Sequence, residues 1–310
     1  MKDSTNFSGF DFYDIWNIDP EINDGYPFLR GVPVRDPETE TNEPKPIPRF
    51  SFSYSGGELG QEGNYSSICY YTDMYFAESS YKYNHELATM SLSLSMAAFG
   101  VAPIGQYVNK AAHVRHLLDD LGYKDINTDL GYPNKPTIDS IGAVFAHKPI
   151  EGTNYEVLVI VVRGGGYEAE WGGNFRLGLN DAHEGFQIAT RKVQDHLAQY
   201  ISSQKNKFLH KEIVLWITGY SRGSAVANLL GAHFVKNRSL TADISLKREN
   251  IYTYCFETPA VSKSNDWNDP IYKNIFSIIN PNDFVPKFPP GGFSGKWNYH
   301  RYGNTIFLPS

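Results

Sequence analysis

Residues 213–234 read IVLWITGYSRGSAVANLLGAHF: an apolar run, a Gly-Tyr-Ser-Arg-Gly turn at 219–223, and then an apolar pattern at helical spacing. A strand that turns at once into a helix leaves little room at the corner. Glycines on both sides of a serine remove the side chains that would collide there and leave the hydroxyl exposed above the sheet edge. The same placement points backbone N–H groups at the helix start toward the space where an acyl oxyanion would form. The pentapeptide alone is a weak signal in a chain with 27 glycines. Specificity comes from its setting between a strand and a helix, against which the plainer reading is a helix-capping serine in a glycine turn.

The pattern around the turn supports that setting. Upstream, 140–146 and 157–162 carry the β-branched residues of neighbouring strands joined by a turn at 151–154. Phe186, Ala189, Val193, Leu197 and Ile201 mark a long amphipathic helix. Strand 213–218, helix 221–236, strand 251–257 and strand 275–280 then follow. Before these, 86–99 and 107–123 suit helices, the second with Val108, Ala111, Val114, Leu118 and Leu121 at helical spacing. Strands alternating with helices predict an α/β fold with a mostly parallel central sheet and helices on both faces.

The chain becomes regular only from about Tyr70. Residues 32–50 hold five prolines among alternating charges and read as an extended linker. The expected organisation is a segment 1–31, a linker 32–50 and an α/β domain 51–310. The first segment, FDFYDIWNIDPEINDGYPFLRG at 10–31, is aromatic and turn-rich. It resembles the closing unit of repeats in bacterial surface proteins, which implies attachment to a larger surface protein and an extracellular or cell-surface location. No secretory leader precedes it in the sequence.

Composition narrows the partners. A net charge of −6 with scattered lysines and arginines provides no footprint for nucleic acid. No apolar run reaches the roughly 18 residues of a membrane span. Cys69 and Cys255 are far apart, and Cys255 falls in a strand, which suits a buried thiol better than a disulfide or a metal cluster. The histidines of HVRH, His113 and His116, are spaced i, i+3 without the glutamate of a zinc motif and read as helix surface. Neither a metal nor a cofactor is expected.

A serine needs a base, and the base a carboxylate to orient it. In the chain order of α/β hydrolases both follow the nucleophile, acid first. Of nine histidines, only His233 and His300 lie beyond Ser221. His233 is three turns down the helix and out of reach, which leaves His300. The carboxylates available are Asp243, Glu249, Glu257, Asp266, Asp269 and Asp283. Asp283 stands out because it follows the strand FSIIN, and carboxylates at the C-terminal ends of parallel strands face the ligand crevice.

Four ordered stretches then resemble the class 3 (fungal-type) lipases, especially bacterial lipase-like members, over about residues 84–308. They are VLVIVVRGGGYEAEWGGNF (157–175), HEGF (183–186), TGYSRGSAVANLLGA (218–232) and INPNDFVPKFPP (279–290). The resemblance implies an α/β-hydrolase fold with Ser221 as nucleophile, Asp283 as acid and His300, in WNYHRYG, as base. It also implies oxyanion donors at Gly165 and Arg222, where the family usually has serine or threonine at the first position. By the same resemblance His183 is structural and Arg163 is a strut below the site.

The expected function is therefore hydrolysis of small-molecule or lipid carboxylic esters. Amidase or thioesterase chemistry on the same triad is one alternative, and a non-catalytic surface module retaining the fold is another. Residues 165–175 form a candidate lid, with Tyr167 and Trp171 between paired glycines. Glu168 and Glu170 make it acidic, which favours water-soluble short-chain esters over lipid droplets.

Overall fold

The computed structural model describes residues 16–17, 28–29, 47–56, 63–98, 111–132, 137–165, 183–289 and 298–309. The chain divides into two compact units, Met1–Pro46 and Ile47–Ser310. In the first, β1 (Trp16–Asn17) pairs antiparallel with β2 (Phe28–Leu29).

The second unit opens with a hairpin of β3 (Arg49–Gly56) and β4 (Gly63–Tyr70), in register from Arg49↔Tyr70 to Gly56↔Gly63. Helices α1 (His85–Ala98) and α2 (Ala111–Asp120) precede β5 (Lys124–Asn127), β6 (Ala143–Pro149) and β7 (Tyr155–Val162). Then come α3 (Glu184–Ser203), the single turn α4 (Lys205–Phe208), β8 (Glu212–Tyr220) and α5 (Arg222–Asn237). The small pair β9 (Ser239–Thr241) and β10 (Ile244–Ser245) leads to β11 (Ile251–Phe256), β12 (Ile275–Ile279) and β13 (Asn304–Phe307).

Seven of these strands form one sheet in the order β13-β12-β11-β8-β7-β6-β5. The five from β13 to β7 are parallel, and β6 and β5 complete the sheet antiparallel. Side-chain alternation along β8 accounts for the layers on either face. Val214 and Trp216 join a core with Leu87, Met90, Leu94 and Leu118 of α1 and α2. Ile213, Leu215 and Ile217 join a second core with Val193, Leu197, Val226 and Leu230 of α3 and α5. Both faces of the sheet are thus covered, as the alternation of strands and helices predicts.

Helix α1 packs on the strand that precedes Ser221 through buried serines as well as its large apolar side chains. Ser91 and Ser95 donate to carbonyls one turn back, while Trp216 Nε1 donates to Ser91 Oγ at 2.8 Å and Ser95 shares a 2.8 Å hydrogen bond with Thr218. Every buried polar atom of that contact has a partner, so the small side chains let helix and strand approach at no desolvation penalty. The last of these bonds lies three residues before Ser221.

The expected strand at 140–146 begins three residues later and runs on to Pro149. Just before it, Gly142 O accepts from Arg163 N at 2.8 Å, which prolongs the pairing with β7 by one step. Its polar end stays in the sheet because His147 is satisfied between Glu156 (2.5 Å) and Asp125 (2.9 Å). Cys69 and Cys255 are both buried and not in a disulfide, and burial pushes the Cys255 thiol up. His113 and His116 are exposed on α2.

Arg49 and Phe50 belong to the second unit: Arg49 pairs with Tyr70, Tyr71 N donates to Pro48 O at 3.2 Å, and the Phe50 ring meets Tyr71 edge-on at 6.5 Å. A chain truncated to begin at Ile47 is therefore expected to keep cooperative unfolding, with a Tm within about 2 °C of the full chain by circular dichroism. A broad, non-cooperative melt would show that residues before Ile47 are needed by the second unit.

Candidate active site

The turn after β8 is the sharp corner expected. Ser221 has φ 54° and ψ −123°, between a strand ending at Tyr220 and a helix starting at Arg222. A non-glycine residue at positive φ costs of order 1–3 kcal/mol and persists only where its surroundings hold it. Here Ser221 N donates to Phe256 O at 2.9 Å, and Ser221 O accepts from Ser224 N at 2.9 Å and Ala225 N at 3.2 Å. The Ser221 hydroxyl makes no capping bond to the helix.

Both flanking glycines are needed for contact rather than flexibility. A Cβ on Gly219 would lie 2.5 Å from Gly223 O. One on Gly223 would lie 2.4 Å from Val162 O and 2.6 Å from Arg163 O. The first turn of α5 thus rests directly on the backbone at the end of β7.

That contact brings the two proposed oxyanion positions together. A Cβ on Gly165 would come within 3.3 Å of Arg222 Cδ, so the two residues are neighbours. Arg222 is buried, with its guanidinium over the Phe186 ring at 5.9 Å. The bulk of the Arg222 stem gives a physical reason for glycine at 165. Arg163 is also buried, with its guanidinium 5.4 Å from the Tyr132 ring centre. The candidate lid residues Tyr167 and Trp171 lie outside the described residues.

Asp283 follows β12 in a tight loop, where its Oδ1 accepts from Val285 N at 2.8 Å and its own N donates to Asn280 O at 3.1 Å. Strands β8 and β12 are both neighbours of β11 and parallel to it, so Ser221 and Asp283 emerge at the same end of the sheet.

His300 is placed differently. Its backbone bridges to Ser262, and its ring stacks on Trp267 with centroids 4.4 Å apart and planes 5° from parallel. Its Nε2 pairs with Asn298 Oδ1 at 2.9 Å. Among the described residues no hydrogen bond joins His300 to Asp283 or Ser221. The ring borders a cavity of about 410 Å³ lined in part by Trp267, Pro286, Pro289 and Phe307. His183 is fully buried at the start of α3, its ring stacked on Phe186 at 4.0 Å and its N donating to Val261 O at 3.0 Å. His233 is exposed on α5 beside Asn237.

Two further residues bear on this region: Glu257, which stood among the available carboxylates but was passed over for Asp283, and Arg301, which the sequence did not single out. Glu257 follows β11 with φ 49°, and both of its carboxylate oxygens accept from Asn280 N at 2.9 and 3.1 Å. Arg301 donates through Nε to Thr258 O at 2.5 Å and through an Nη to Pro286 O. The positive φ of Glu257 has no signature in sequence.

The corner at Ser221, the neighbouring Gly165 and Arg222, and the carboxylate after β12 all fall in one stretch that is similar to known proteins. Residues 159–293 match the family described as lipase (class 3). The matched segment contains Gly165, Ser221, Arg222, Glu257 and Asp283, and it ends before His300. A secreted mono- and diacylglycerol lipase of Malassezia restricta is 33% identical over 113 residues, which is 35% of this chain and 32% of that protein. The chain thus spans about a third of the curated relative's length. Among solved structures, a fungal lipase in an inhibitor complex, reported as a model for interfacial activation, is 18% identical with a TM-score of 0.44, covering 67% of this chain and 76% of that one. A lipase of Rhizopus microsporus var. chinensis is 14% identical with a TM-score of 0.44, covering 67% and 71%. These relatives are fungal, and the bacterial kinship expected from the sequence draws no support from them.

Gly223→Ala places a methyl against two backbone oxygens that cannot move aside independently. It is expected to cost about 1–3 kcal/mol in urea unfolding, through overpacking at the turn after Ser221. A variant as stable as the parent would contradict the backbone contact.

Proposed function

We propose that this protein is a serine hydrolase of carboxylic esters. The observation that carries the reading is Ser221: a strained, glycine-flanked serine at the end of a parallel strand, with its hydroxyl unspent and the helix start beneath it. Ser221 Oγ attacks the ester carbonyl, and the N–H groups of Gly165 and Arg222 stabilise the oxyanion. Asp283 orients the base and stabilises its charged form.

His300 is the base by its position in the chain order. Its backbone is fixed by the Ser262 bridge, so its use requires the imidazole to rotate away from Trp267 and Asn298.

The name of the Malassezia relative supports a secreted enzyme and makes mono- and diacylglycerols the first natural substrates to assay. Nitrophenyl esters of graded chain length, with matched amides and thioesters, separate ester specificity from the other scissile bonds. Residues 1–31 serve to attach this activity to a larger surface protein.

A fluorophosphonate is expected to label Ser221, and Ser221→Ala to abolish labelling and to lower ester turnover by roughly 10⁶. Labelling that persists in the alanine variant would place the nucleophile elsewhere.

The pH dependence tests the base. Burial, and secondarily the charge of Arg301, hold the His300 imidazole below its ordinary value. Only neutral imidazole accepts the serine proton, so kcat/KM is expected to rise with pH through a midpoint below about 6.5. His300→Ala should remove both the activity and the ionisation. A variant that keeps its turnover and its profile would assign the base to another group, His183 being the first to test.

A further inference from the structure

We propose that Glu257 and Arg301 are positioning residues that hold the Asp283 loop in register with the Ser221 elbow. This rests on the hydrolase reading, which assigns Asp283 its role, but not on the identity of the base.

The loop is gripped at both ends. At its start, Asn280 N donates to both oxygens of Glu257, Asn280 O accepts from Asp283 N at 3.1 Å, and Asn280 Oδ1 accepts from Asn282 N at 3.0 Å. The turn that carries Asp283 is therefore built on Asn280, which the Glu257 carboxylate holds. Three residues beyond Asp283, Pro286 O accepts from the Arg301 guanidinium, which also holds Thr258 O, next to Glu257. The two side chains carry opposite charges. Burial lowers the Arg301 guanidinium to about 10, and the Glu257 carboxylate opposes that shift.

Glu257 is also one peptide away from the nucleophile. The carbonyl of Phe256 receives Ser221 N, and the next residue supplies the carboxylate that receives Asn280 N. A single strand end thus fixes both neighbouring strand ends. Glutamate at φ 49° is a costly choice for a position that glycine would occupy freely, and it is 9% exposed, so its charge is largely desolvated. Strain and desolvation at one residue are retained where the surrounding geometry serves the site.

Glu257→Gly separates this role from ordinary structural support, because it relieves the backbone strain while deleting the carboxylate. The expected result is a Tm within about 3 °C of the parent, a kcat lowered about tenfold and a KM changed by less than about twofold. Glu257→Gln, which keeps one acceptor oxygen, should fall between the two. Arg301→Met should lower kcat similarly, and the double variant should be no worse than the weaker single one. Independently of activity, hydrogen exchange at Asn280, Asp283 and Val285 should accelerate in Glu257→Gly, while exchange at 222–225 stays unchanged. Unchanged exchange at 280–285, or a kcat loss matched by loss of folded protein, would overturn the proposal. If the parent neither turns over esters nor labels at Ser221, the hydrolase reading falls, and the exchange experiment still decides whether the pair holds the loop.

Discussion

Ser221 occupies a backbone conformation that the chain would leave if it could. Two contacts prevent it: the hydrogen bond from Ser221 N to Phe256 O, and the seating of Gly223 on the carbonyls of Val162 and Arg163. Both reach across strand ends, from β8 to β11 and from α5 to β7. The corner therefore depends on three adjacent parallel strands ending at one level, and that level depends on the two cores that clamp β8 from either face. Burying the side chains of a β8-type strand on both sides contributes roughly 1.5–3 kcal/mol for each large residue. That is enough for the scaffold to hold a corner costing about 1–3 kcal/mol.

The central strands and their helices were legible because burial on both faces leaves nearly continuous apolar runs. β7 and β8 are such runs, and so are the buried stretches of β11 and β12. The edges were not. β5 is Lys-Asp-Ile-Asn and β13 is Asn-Thr-Ile-Phe, four residues each and partly exposed, with too little apolar content to register as strands. The hairpin of β3 and β4 is a different omission. Phe50, Phe52 and Tyr54 alternate with Ser51, Ser53 and Ser55 in the sequence, which is the period of a strand, so the strands of the second unit begin at Arg49 and not near Tyr70.

The elbow was legible in the site because its requirement is steric and local: glycine, serine and glycine in a fixed order. The loop that carries Asp283 was legible because a polar loop after an apolar strand is a short-range pattern. Whether an imidazole faces that loop depends on a long-range contact, the stack of His300 on Trp267, and on a local bond to Asn298, and the sequence marks neither. Gly165 shows the reverse relation. Read alone it is a lost hydroxyl, whereas beside Arg222 it is a neighbour matched in size, since any Cβ there would press on the arginine stem.

Phe256 lies opposite Tyr220 in the parallel register, so the residues that follow them, Glu257 and Ser221, leave the sheet at the same height. Both are non-glycine residues at positive φ, 49° and 54°. Each turns its chain sharply out of the sheet, one into a helix and the other into a loop. A strand end that continues straight would carry its backbone N–H and C=O past the neighbouring strand. A strand end that turns here leaves the Phe256 carbonyl to receive Ser221 N and leaves the Ile278 carbonyl to receive Glu257 N at 3.0 Å. The two left-handed residues thus form a stepped series in which each corner is bonded to the strand beside it. Strain at one step is supported by the next, and Asp283 sits at the end of the series.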